Sequence, residues 1–167
     1  LFGFPGGFSF GDDIASGRIF AMKVRERLYP ALRRAVERRC PIIGACNGFQ
    51  VLVQVGLLPG PPGEPRSQGA GWPDIAPPQT VALSDNQDAR FHDRWVPVSY
   101  ELNSVCVWTK GLADAFPTGE HHDAMQLPVA HGEGRFVTAS DATLRALEAG
   151  GQVAVRYNDN YNGSQNA

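Results

Sequence analysis

The sequence predicts an α/β fold, a three-layer sandwich whose central sheet is mostly parallel. Up to Gly56, short apolar runs alternate with helical patterns in the order strand, helix, strand, helix. Such a series favours parallel strands joined by right-handed crossovers. The second half carries short β-leaning segments and one further helix, which indicates antiparallel or mixed pairing there.

The first strand is predicted at residues 1–4 and ends in the turn Pro5-Gly6-Gly7-Phe8-Ser9. A helical pattern follows over residues 13–39, where Pro30 is expected to kink the helix or split it in two. Residues 41–44 form the second predicted strand, and residues 49–55 a short helix that Gly56 ends. The long helical pattern has one apolar stripe with a spacing of three to four residues: Phe20, Val24, Leu28, Leu32 and Ala35.

A proline- and glycine-rich stretch over residues 59–78 predicts a surface loop or insertion. Ser140 can cap a short helix that carries Leu144 and Leu147 and ends at Gly150-Gly151. Between and beyond these features, short strands are predicted over residues 79–83, 95–98, 104–109, 124–130 and 152–157.

Composition excludes several kinds of partner. The chain has 167 residues, enough for one domain with a substantial core, and a net charge of −2 without a dense basic run. Nucleic acid is therefore not expected as a partner. No apolar run is long enough to span a membrane and no signal sequence is visible, so we expect a cytoplasmic protein without membrane contact.

The three cysteines are odd in number and lack the spacing of metal ligands, which favours a reducing compartment over a disulfide framework. Cys40, at a helix end, and Cys106, in a predicted apolar strand, are expected to be structural. Cys46 differs because it stands between two glycines, in Gly44-Ala45-Cys46-Asn47-Gly48, where a predicted strand meets a predicted helix.

This G-x-C-x-G pattern is the cysteine form of the nucleophile elbow, a strained turn that exposes one side chain above the carboxyl end of a sheet. The N–H groups and dipole at the following helix N-terminus favour a thiolate. The alternative is an inert buried cysteine beside a tight turn. Two flanking glycines and the polar Asn47 favour the nucleophile.

A thiolate that attacks an amide or ester also needs an oxyanion hole. The backbone N–H of Asn47, directly after Cys46, is the usual first donor at an elbow. Gly6 and Gly7 end a neighbouring strand, and in a parallel sheet their loop opens at the same edge as the elbow. A glycine N–H there can be the second donor, although an ordinary tight turn explains the glycine pair equally well.

The base has four histidines as candidates. His92, His121 and His122 lie in polar, loop-like surroundings and are expected to face solvent. His131 ends an apolar run and precedes Glu133 by two residues, so the residues alone predict a base and its orienting carboxylate. A substrate-binding loop is the alternative interpretation of this segment.

Several segments, in order over nearly the whole chain, resemble one family: the glutaminase subunit of phosphoribosylformylglycinamidine synthase, a class I (triad-type) glutamine amidotransferase of purine biosynthesis. C-N-G-F-Q together with H-G-E-G-R is specific to this family, and Phe49 is typical of its stand-alone subunit. The resemblance implies a class I glutamine amidotransferase-like, flavodoxin-like fold. The segments are Pro5–Asp12, Gly44–Gln50, Gly56–Gly60, Pro128–Arg135 and Arg156–Asn160.

The resemblance also implies a reaction. Cys46 would attack the side-chain amide of glutamine, form a γ-glutamyl thioester and release ammonia, and water would then free glutamate. Gly7 and Asn47 would supply the oxyanion hole. No metal or cofactor is expected in this chain. The ammonia would pass to a synthase subunit, joined by a small bridging subunit, which uses ATP and Mg to convert formylglycinamide ribonucleotide into its amidine. The residues implied at the substrate site are Gly6, Gly7, Gln50 and His131.

The resemblance moves the base elsewhere. In this family the catalytic His and Glu lie in a motif like M-P-H-P-E-R, downstream of a segment that corresponds here to Arg156–Ser164. They are therefore expected beyond Ala167, and residues 1–167 are expected to be an amidotransferase domain truncated at both termini and inactive by itself. His131 becomes a pocket or structural residue.

Two alternatives stay open at this point. One is a different cysteine hydrolase on the same elbow that uses His131 and Glu133 as its own base pair. The other is a non-catalytic amidotransferase-like module that only docks to a synthase.

Overall fold

The computed structural model describes residues 1–12, 17–61, 71–119 and 122–165. The chain forms two compact units, Leu1–Ala82 and Leu83–Ala167. The first unit is an α/β arrangement with parallel strands, and the second is built on antiparallel strands.

The first unit confirms the predicted order of strand, helix, strand and helix. A short 3₁₀ segment, Ser9–Asp12, follows the first strand. The two strands pair in parallel, with Gly3 opposite Ile43. This pairing is the one expected where a helical connection returns the chain to the same edge of a sheet. The elements are β1 (Phe2–Phe4), α1 (Arg18–Arg27), α2 (Tyr29–Glu37), β2 (Ile42–Gly44) and α3 (Asn47–Val55).

The predicted long helix is split in two, and the break lies at Leu28, which ends α1 and precedes α2. Pro30 occupies the first turn of α2, where its missing N–H costs no hydrogen bond. Val24 and Leu32 of the predicted stripe are buried, but Leu28 is 51% exposed. The prediction that Leu28 is buried is wrong, because Leu28 lies at the break between the two helices and not within a continuous helical stripe. The start of the predicted helix, residues 13–16, lies outside the described residues.

The core of the first unit surrounds α3. Val51 and Val55 of α3 are completely buried, as is Val24 of α1. Burial of each such side chain stabilises the fold by roughly 1.5–3 kcal/mol. The helix that follows Cys46 is therefore fixed by apolar packing. The buried members of this core are Ala21, Val24, Tyr29, Leu32, Val51, Leu52, Val55 and Leu57.

The described part of the predicted 59–78 loop lies against α1 and α2. The guanidinium of Arg25 donates to the carbonyl oxygens of Ala76 (3.1 Å) and Pro77 (3.2 Å). The hydroxyl of Tyr29 donates to the carbonyl oxygen of Pro73 (3.0 Å). Residues 71–78 are irregular, as predicted, and these bonds tie them to the helices.

The second unit is organised around one long strand. Strand β3 begins at the end of the first unit, and from Leu83 onward it belongs to the second, where it pairs with β6. A three-stranded sheet has the order β5–β4–β7, and both of its pairings are antiparallel. The described strands thus include both parallel and antiparallel pairs, in separate sheets. The elements are β3 (Val81–Ser84), β4 (His92–Tyr100), α4 (Leu112–Ala115), β5 (Gln126–His131), β6 (Arg135–Thr138), α5 (Asp141–Ala149) and β7 (Val155–Tyr157).

In the second unit, the helix cap predicted from the sequence is confirmed, but one predicted strand is wrong. Ser140 caps α5 as predicted, since its Oγ accepts the backbone N–H of Thr143 (3.2 Å). The predicted strand over residues 104–109 is wrong, because these residues form irregular backbone and turns in which Cys106 lies. Its apolar residues Val105 and Val107 are exposed. The sequence analysis did not predict α4 or β6.

Helix α3 approaches β1 most closely at Gly48, where a Cβ atom would lie 2.0 Å from the carbonyl oxygen of Phe4. Gly48→Ala should therefore lower the free energy of unfolding by about 2–3 kcal/mol, because backbone, not a flexible side chain, blocks the added carbon. Gly3→Ala is the matched control, since a Cβ at Gly3 meets no atom within 4 Å. It should change stability by less than about 0.5 kcal/mol. Urea denaturation measures both, and equal stability of the two variants would contradict this account.

Candidate active site

Cys46 lies on the turn between β2 and α3, and its backbone has the strained geometry of an elbow. Its φ is 51° and its ψ is −118°, a conformation that a residue with a Cβ adopts only where its surroundings impose it. The residue is exposed, and it is the N-cap of α3, at the positive end of the helix dipole. The structure therefore has the strand, turn and helix of a nucleophile elbow.

Hydrogen bonds fix both sides of this turn. The N–H of Ala45 donates to the carbonyl oxygen of Phe4 (3.0 Å), which ties the turn to β1. The N–H groups of Gly48 and Phe49 donate to the carbonyl oxygens of Ala45 (2.9 Å) and Cys46 (3.0 Å). The first turn of α3 thus closes directly behind Cys46, whose side chain is exposed.

The glycine turn after β1 runs beside Cys46. A Cβ on Gly6 would lie 3.2 Å from the Cβ of Cys46 and 3.9 Å from its Sγ, so a side chain there would crowd the thiol. Gly7 has a φ of +131°, which favours glycine. Within the described part of the chain, the N–H groups of Gly6 and Gly7 donate no hydrogen bond. They are accessible to a ligand.

Asn47 links this glycine turn to α3. Its side chain is buried, its Oδ1 accepts a 2.8 Å hydrogen bond from Ser9 Oγ, and its Nδ2 lies 3.5 Å from Gln50 Oε1. The first unit therefore brings Gly6 and Gly7 next to Cys46, and connects Asn47 with Gln50. Sequence reasoning missed Ser9, because a hydroxyl two residues after a glycine pair has no distinctive pattern.

All four histidines lie in the second unit. His131 ends β5, and both of its ring nitrogens have partners: Nδ1 lies 2.9 Å from Asn86 Oδ1, and Nε2 lies 2.8 Å from the Tyr161 hydroxyl. An amide oxygen only accepts, so Nδ1 carries the proton and the Tyr161 hydroxyl donates to Nε2 of the neutral ring. The pKa of His131 is lowered, first by burial and then by the neighbouring His92. These contacts favour the neutral imidazole.

Asn86 is the centre of this network and is only 3% exposed. Its Nδ2 donates to the carbonyl oxygens of Arg90 (2.7 Å) and His131 (2.8 Å). Its Oδ1 also accepts from Asn162 Nδ2 (2.9 Å) and from the N–H of Gly134 (3.2 Å). Because both partners of Nδ2 are acceptors, the orientation of the amide is determined. One buried side chain thus joins the 85–90 turn, the H-G-E-G loop and the segment around Asn162.

The prediction that His92 faces solvent is wrong. His92 lies opposite His131 in the pairing of β4 and β5, its side chain is 15% exposed, and its Nε2 donates to the Asp88 carboxylate (3.0 Å). The N–H of Arg90 and, after it, His92 lower the pKa of Asp88. The β4–β5 pairing that partly covers His92 joins residues far apart in the chain, which a local pattern does not reveal.

Tyr161 completes the cluster on the side of His131. Burial raises the pKa of its hydroxyl, with a further contribution from Tyr157, so the group stays protonated and can donate to His131. The guanidinium carbon of Arg94 lies 4.1 Å from the centre of the Tyr161 ring. Of the other histidines, His122 is exposed as predicted, and His121 lies outside the described residues.

Asn86 orients the His131 ring through its hydrogen bond with Nδ1. A general base needs a ring nitrogen that can take up a proton from the reacting group. Here Nδ1 already carries its proton and Nε2 accepts the Tyr161 hydroxyl. The geometry therefore favours His131 as a residue that supports the H-G-E-G loop over His131 as the base of a triad.

Two further findings bear on what the chain could bind. Within residues 1–12, 17–61, 71–119 and 122–165, no cluster of three or more His, Cys, Asp or Glu side chains could hold a metal ion. In the same ranges no helix has the length and apolar character needed to cross a bilayer.

A cysteine exposed on a strained elbow, beside a glycine turn with accessible N–H groups, has the geometry that thiolate attack on a carbonyl requires. The α/β fold is that of a class I glutamine amidotransferase-like protein. A family model described as the CobB/CobQ-like glutamine amidotransferase domain matches residues 1–167, and the chain belongs to this family.

Individual relatives narrow the comparison. The phosphoribosylformylglycinamidine synthase subunit PurQ of Dehalococcoides mccartyi is 38% identical over 137 residues, which cover 82% of this chain and 45% of that protein. The subunit of the same name from Synechococcus elongatus is 39% identical over 165 residues, covering 97% and 58%. The chain therefore spans about half the length of the curated relatives it matches.

A solved structure shows a similar fold. A chain in the structure of PurLQS from Thermotoga maritima matches with a TM-score of 0.60 and 28% identity, over 97% of this chain and 57% of that chain. The resemblance to the phosphoribosylformylglycinamidine synthase subunit, found in the sequence, is thus confirmed by these relatives and by the similar fold.

Asn86→Asp tests the buried network with a nearly isosteric change. An aspartate has no donor for the carbonyl oxygens of Arg90 and His131, so we expect the free energy of unfolding to fall by about 3 kcal/mol. The matched control is Asn103→Asp, at an exposed asparagine of the same unit. Urea denaturation of both variants provides the measurement, and a loss below about 1 kcal/mol for Asn86→Asp would refute the central role of the amide.

His131 should make stability depend on pH. Its pKa is lower in the folded protein than in the unfolded chain, where it is about 6.5. As the pH falls below about 6.5, the unfolded state binds the extra proton first, so the free energy of unfolding decreases toward the folded pKa. His131→Gln should remove this part of the slope between neutral and mildly acidic pH. Identical pH profiles of unfolding for wild type and variant would show that the imidazole is not held neutral.

Proposed function

We propose that this protein is a glutaminase that hydrolyses glutamine to glutamate and ammonia and supplies the ammonia for purine biosynthesis. The observation that supports this most directly is Cys46, exposed on a strained elbow in a chain of the glutamine amidotransferase family. The relatives described above carry one name, a subunit of phosphoribosylformylglycinamidine synthase.

In the proposed reaction the Cys46 thiolate attacks the side-chain carbonyl carbon of glutamine. A carbon–sulfur bond forms, and the carbonyl electrons move onto the oxygen of a tetrahedral intermediate. Collapse of this intermediate breaks the carbon–nitrogen bond, and the nitrogen leaves as ammonia with a proton from a general acid. Water then attacks the γ-glutamyl thioester and releases glutamate and the thiol.

The N–H groups of Gly7 and Asn47 form the oxyanion hole in this proposal. Gly6 leaves room beside the thiol, since any Cβ there would meet Cys46. Gln50 lies near the side-chain amide of Asn47 and contributes to the glutamine pocket. His131 contributes through the conformation of its loop, because its ring nitrogens are already bound to Asn86 and Tyr161.

The general base and its carboxylate are proposed to be a His and a Glu that follow Ala167 in the full protein. The chain matches only 45–58% of the length of its curated relatives, so a large part of each relative has no counterpart here. The contacts of His131 support the same view, because they leave neither ring nitrogen to act on a thiol. A hydrolase that uses His131 and Glu133 is correspondingly disfavoured.

The ammonia is proposed to pass to a synthase subunit that uses ATP and Mg to convert formylglycinamide ribonucleotide into its amidine, with a small bridging subunit in the complex. The similar solved structure is one of PurLQS from Thermotoga maritima. We place the reaction in the cytoplasm, where the described cysteines would stay reduced. For the full domain we propose a three-layer sandwich with a mostly parallel central sheet, which the parallel pair of β1 and β2 supports.

Cys46→Ser in the full-length protein, assayed with its synthase partner, tests the proposal. Because serine is a far weaker nucleophile at this position, glutamate release from glutamine should fall on the order of 10⁴-fold or more. Cys106→Ser is the control. Cys106 lies in irregular backbone of the second unit, so this substitution should leave the rate of glutamate release unchanged. Undiminished activity of Cys46→Ser would end the proposal.

A glutamine analogue with a chloromethyl ketone in place of the amide separates an enzyme from a docking module. The Cys46 thiolate of the wild-type protein should displace the chloride and form a stable thioether, and Cys106 should not react, as located by mass spectrometry of peptides. A module that only docks to a synthase would give no adduct at Cys46.

A further inference from the structure

We propose that Ser9 is a positioning residue for the oxyanion hole. Through Asn47 its hydroxyl holds the Gly6–Gly7 turn at a fixed place beside Cys46. The inference rests on the proposed glutamine hydrolysis and adds to it a residue that acts through Asn47. The observation behind it is the 2.8 Å hydrogen bond from Ser9 Oγ to Asn47 Oδ1.

The Asn47 side of this bond is rigid. Asn47 is 4% exposed and begins α3, whose next residue, Gly48, packs against the carbonyl group of Phe4. Val51 and Leu52 anchor the helix in the core. Because Asn47 Oδ1 is held firmly, its hydrogen bond fixes the position of the Ser9 hydroxyl that donates to it.

The glycine turn that precedes Ser9 is exposed. Gly6, Gly7 and Phe8 are exposed, and the Phe8 side chain retains 84% of its accessible surface. A glycine with φ +131° has no Cβ to restrict it to that conformation. Because Ser9 is only two residues beyond Gly7, fixing Ser9 limits the directions in which the Gly7 N–H can point.

This constraint matters for rate more than for binding. The charge on the glutamine oxygen develops in the transition state, so a displaced oxyanion donor raises the barrier without an equal loss of substrate affinity. A serine that merely satisfied a buried amide would instead affect stability and leave the chemical step unchanged.

The test uses full-length protein with its synthase partner and compares Ser9→Ala with Ser9→Thr, which keeps the hydroxyl. Ser9→Ala should lower kcat for glutamine about tenfold, less than the roughly 10²–10³-fold cost of removing an oxyanion donor outright. KM should stay within about twofold, and Ser9→Thr should recover most of the rate. Ser99→Ala is the matched control, because Ser99 Oγ makes the same kind of bond to Asn158 Oδ1 in the second unit.

A double-mutant cycle with Asn47→Ala shows whether Ser9 acts through this bond. In the Asn47→Ala background, Ser9→Ala should cause little further loss of kcat, whereas independent roles would give additive losses. An unchanged kcat in Ser9→Ala, or an increase in KM alone, would overturn the inference.

A second readout does not depend on glutamine hydrolysis. The NMR order parameters of the Gly6 and Gly7 amides should fall in Ser9→Ala, from near 0.85 toward 0.6, while those of α3 stay unchanged. If the wild-type protein does not hydrolyse glutamine, the proposed function fails, and this measurement still decides whether Ser9 anchors the turn. Unchanged order parameters at both glycines would overturn the inference whatever the activity.

Discussion

The geometry of the Cys46 elbow depends on one close contact, between Gly48 and the carbonyl group of Phe4. With α3 this near to β1, the chain must pass from β2 into α3 within a very short turn, and Cys46 adopts a positive φ. A residue held in such a conformation costs about 1–3 kcal/mol. Burial of Val51 and Val55 on the same helix offsets this cost, at roughly 1.5–3 kcal/mol for each side chain. The strained backbone and exposed thiol of Cys46 are thus maintained by the apolar packing of the helix that follows.

The structure of the second unit depends on a buried polar side chain, Asn86, whereas that of the first depends on an apolar core. Asn86 satisfies five hydrogen-bonding partners from three separate segments, and no other side chain of similar size offers two donors and an acceptor in that arrangement. Apolar cores tolerate substitutions of similar volume, but a buried amide network loses its function when any member is left unpaired. Position 86 should therefore be much less replaceable than core positions such as Val51.

Features encoded by neighbouring residues could be predicted from the sequence. The elbow at Cys46, the helix break near Pro30, the end of α3 at Gly56 and the cap at Ser140 all follow from local chemistry. The errors share a different cause. Asn86 bonds to His131 and Asn162, which are 45 and 76 residues away, and His92 is partly covered by the pairing of β4 with β5. Residues 104–109 have an apolar pattern typical of a strand, yet the described structure gives them no strand partner.

The contacts of His131 also weigh against the triad of Cys46, His131 and Glu133 that residue spacing suggests. A histidine two residues before a glutamate at a strand end has the composition of a catalytic pair, but composition does not specify which group orients the ring. The Asn86 oxygen selects the tautomer with Nδ1 protonated, the Tyr161 hydroxyl then occupies Nε2, and burial opposes a positive charge. Each contact removes a property that a base requires. Under the proposed function, this chain therefore presents a preformed nucleophile and oxyanion hole, and proton transfer depends on a group other than His131.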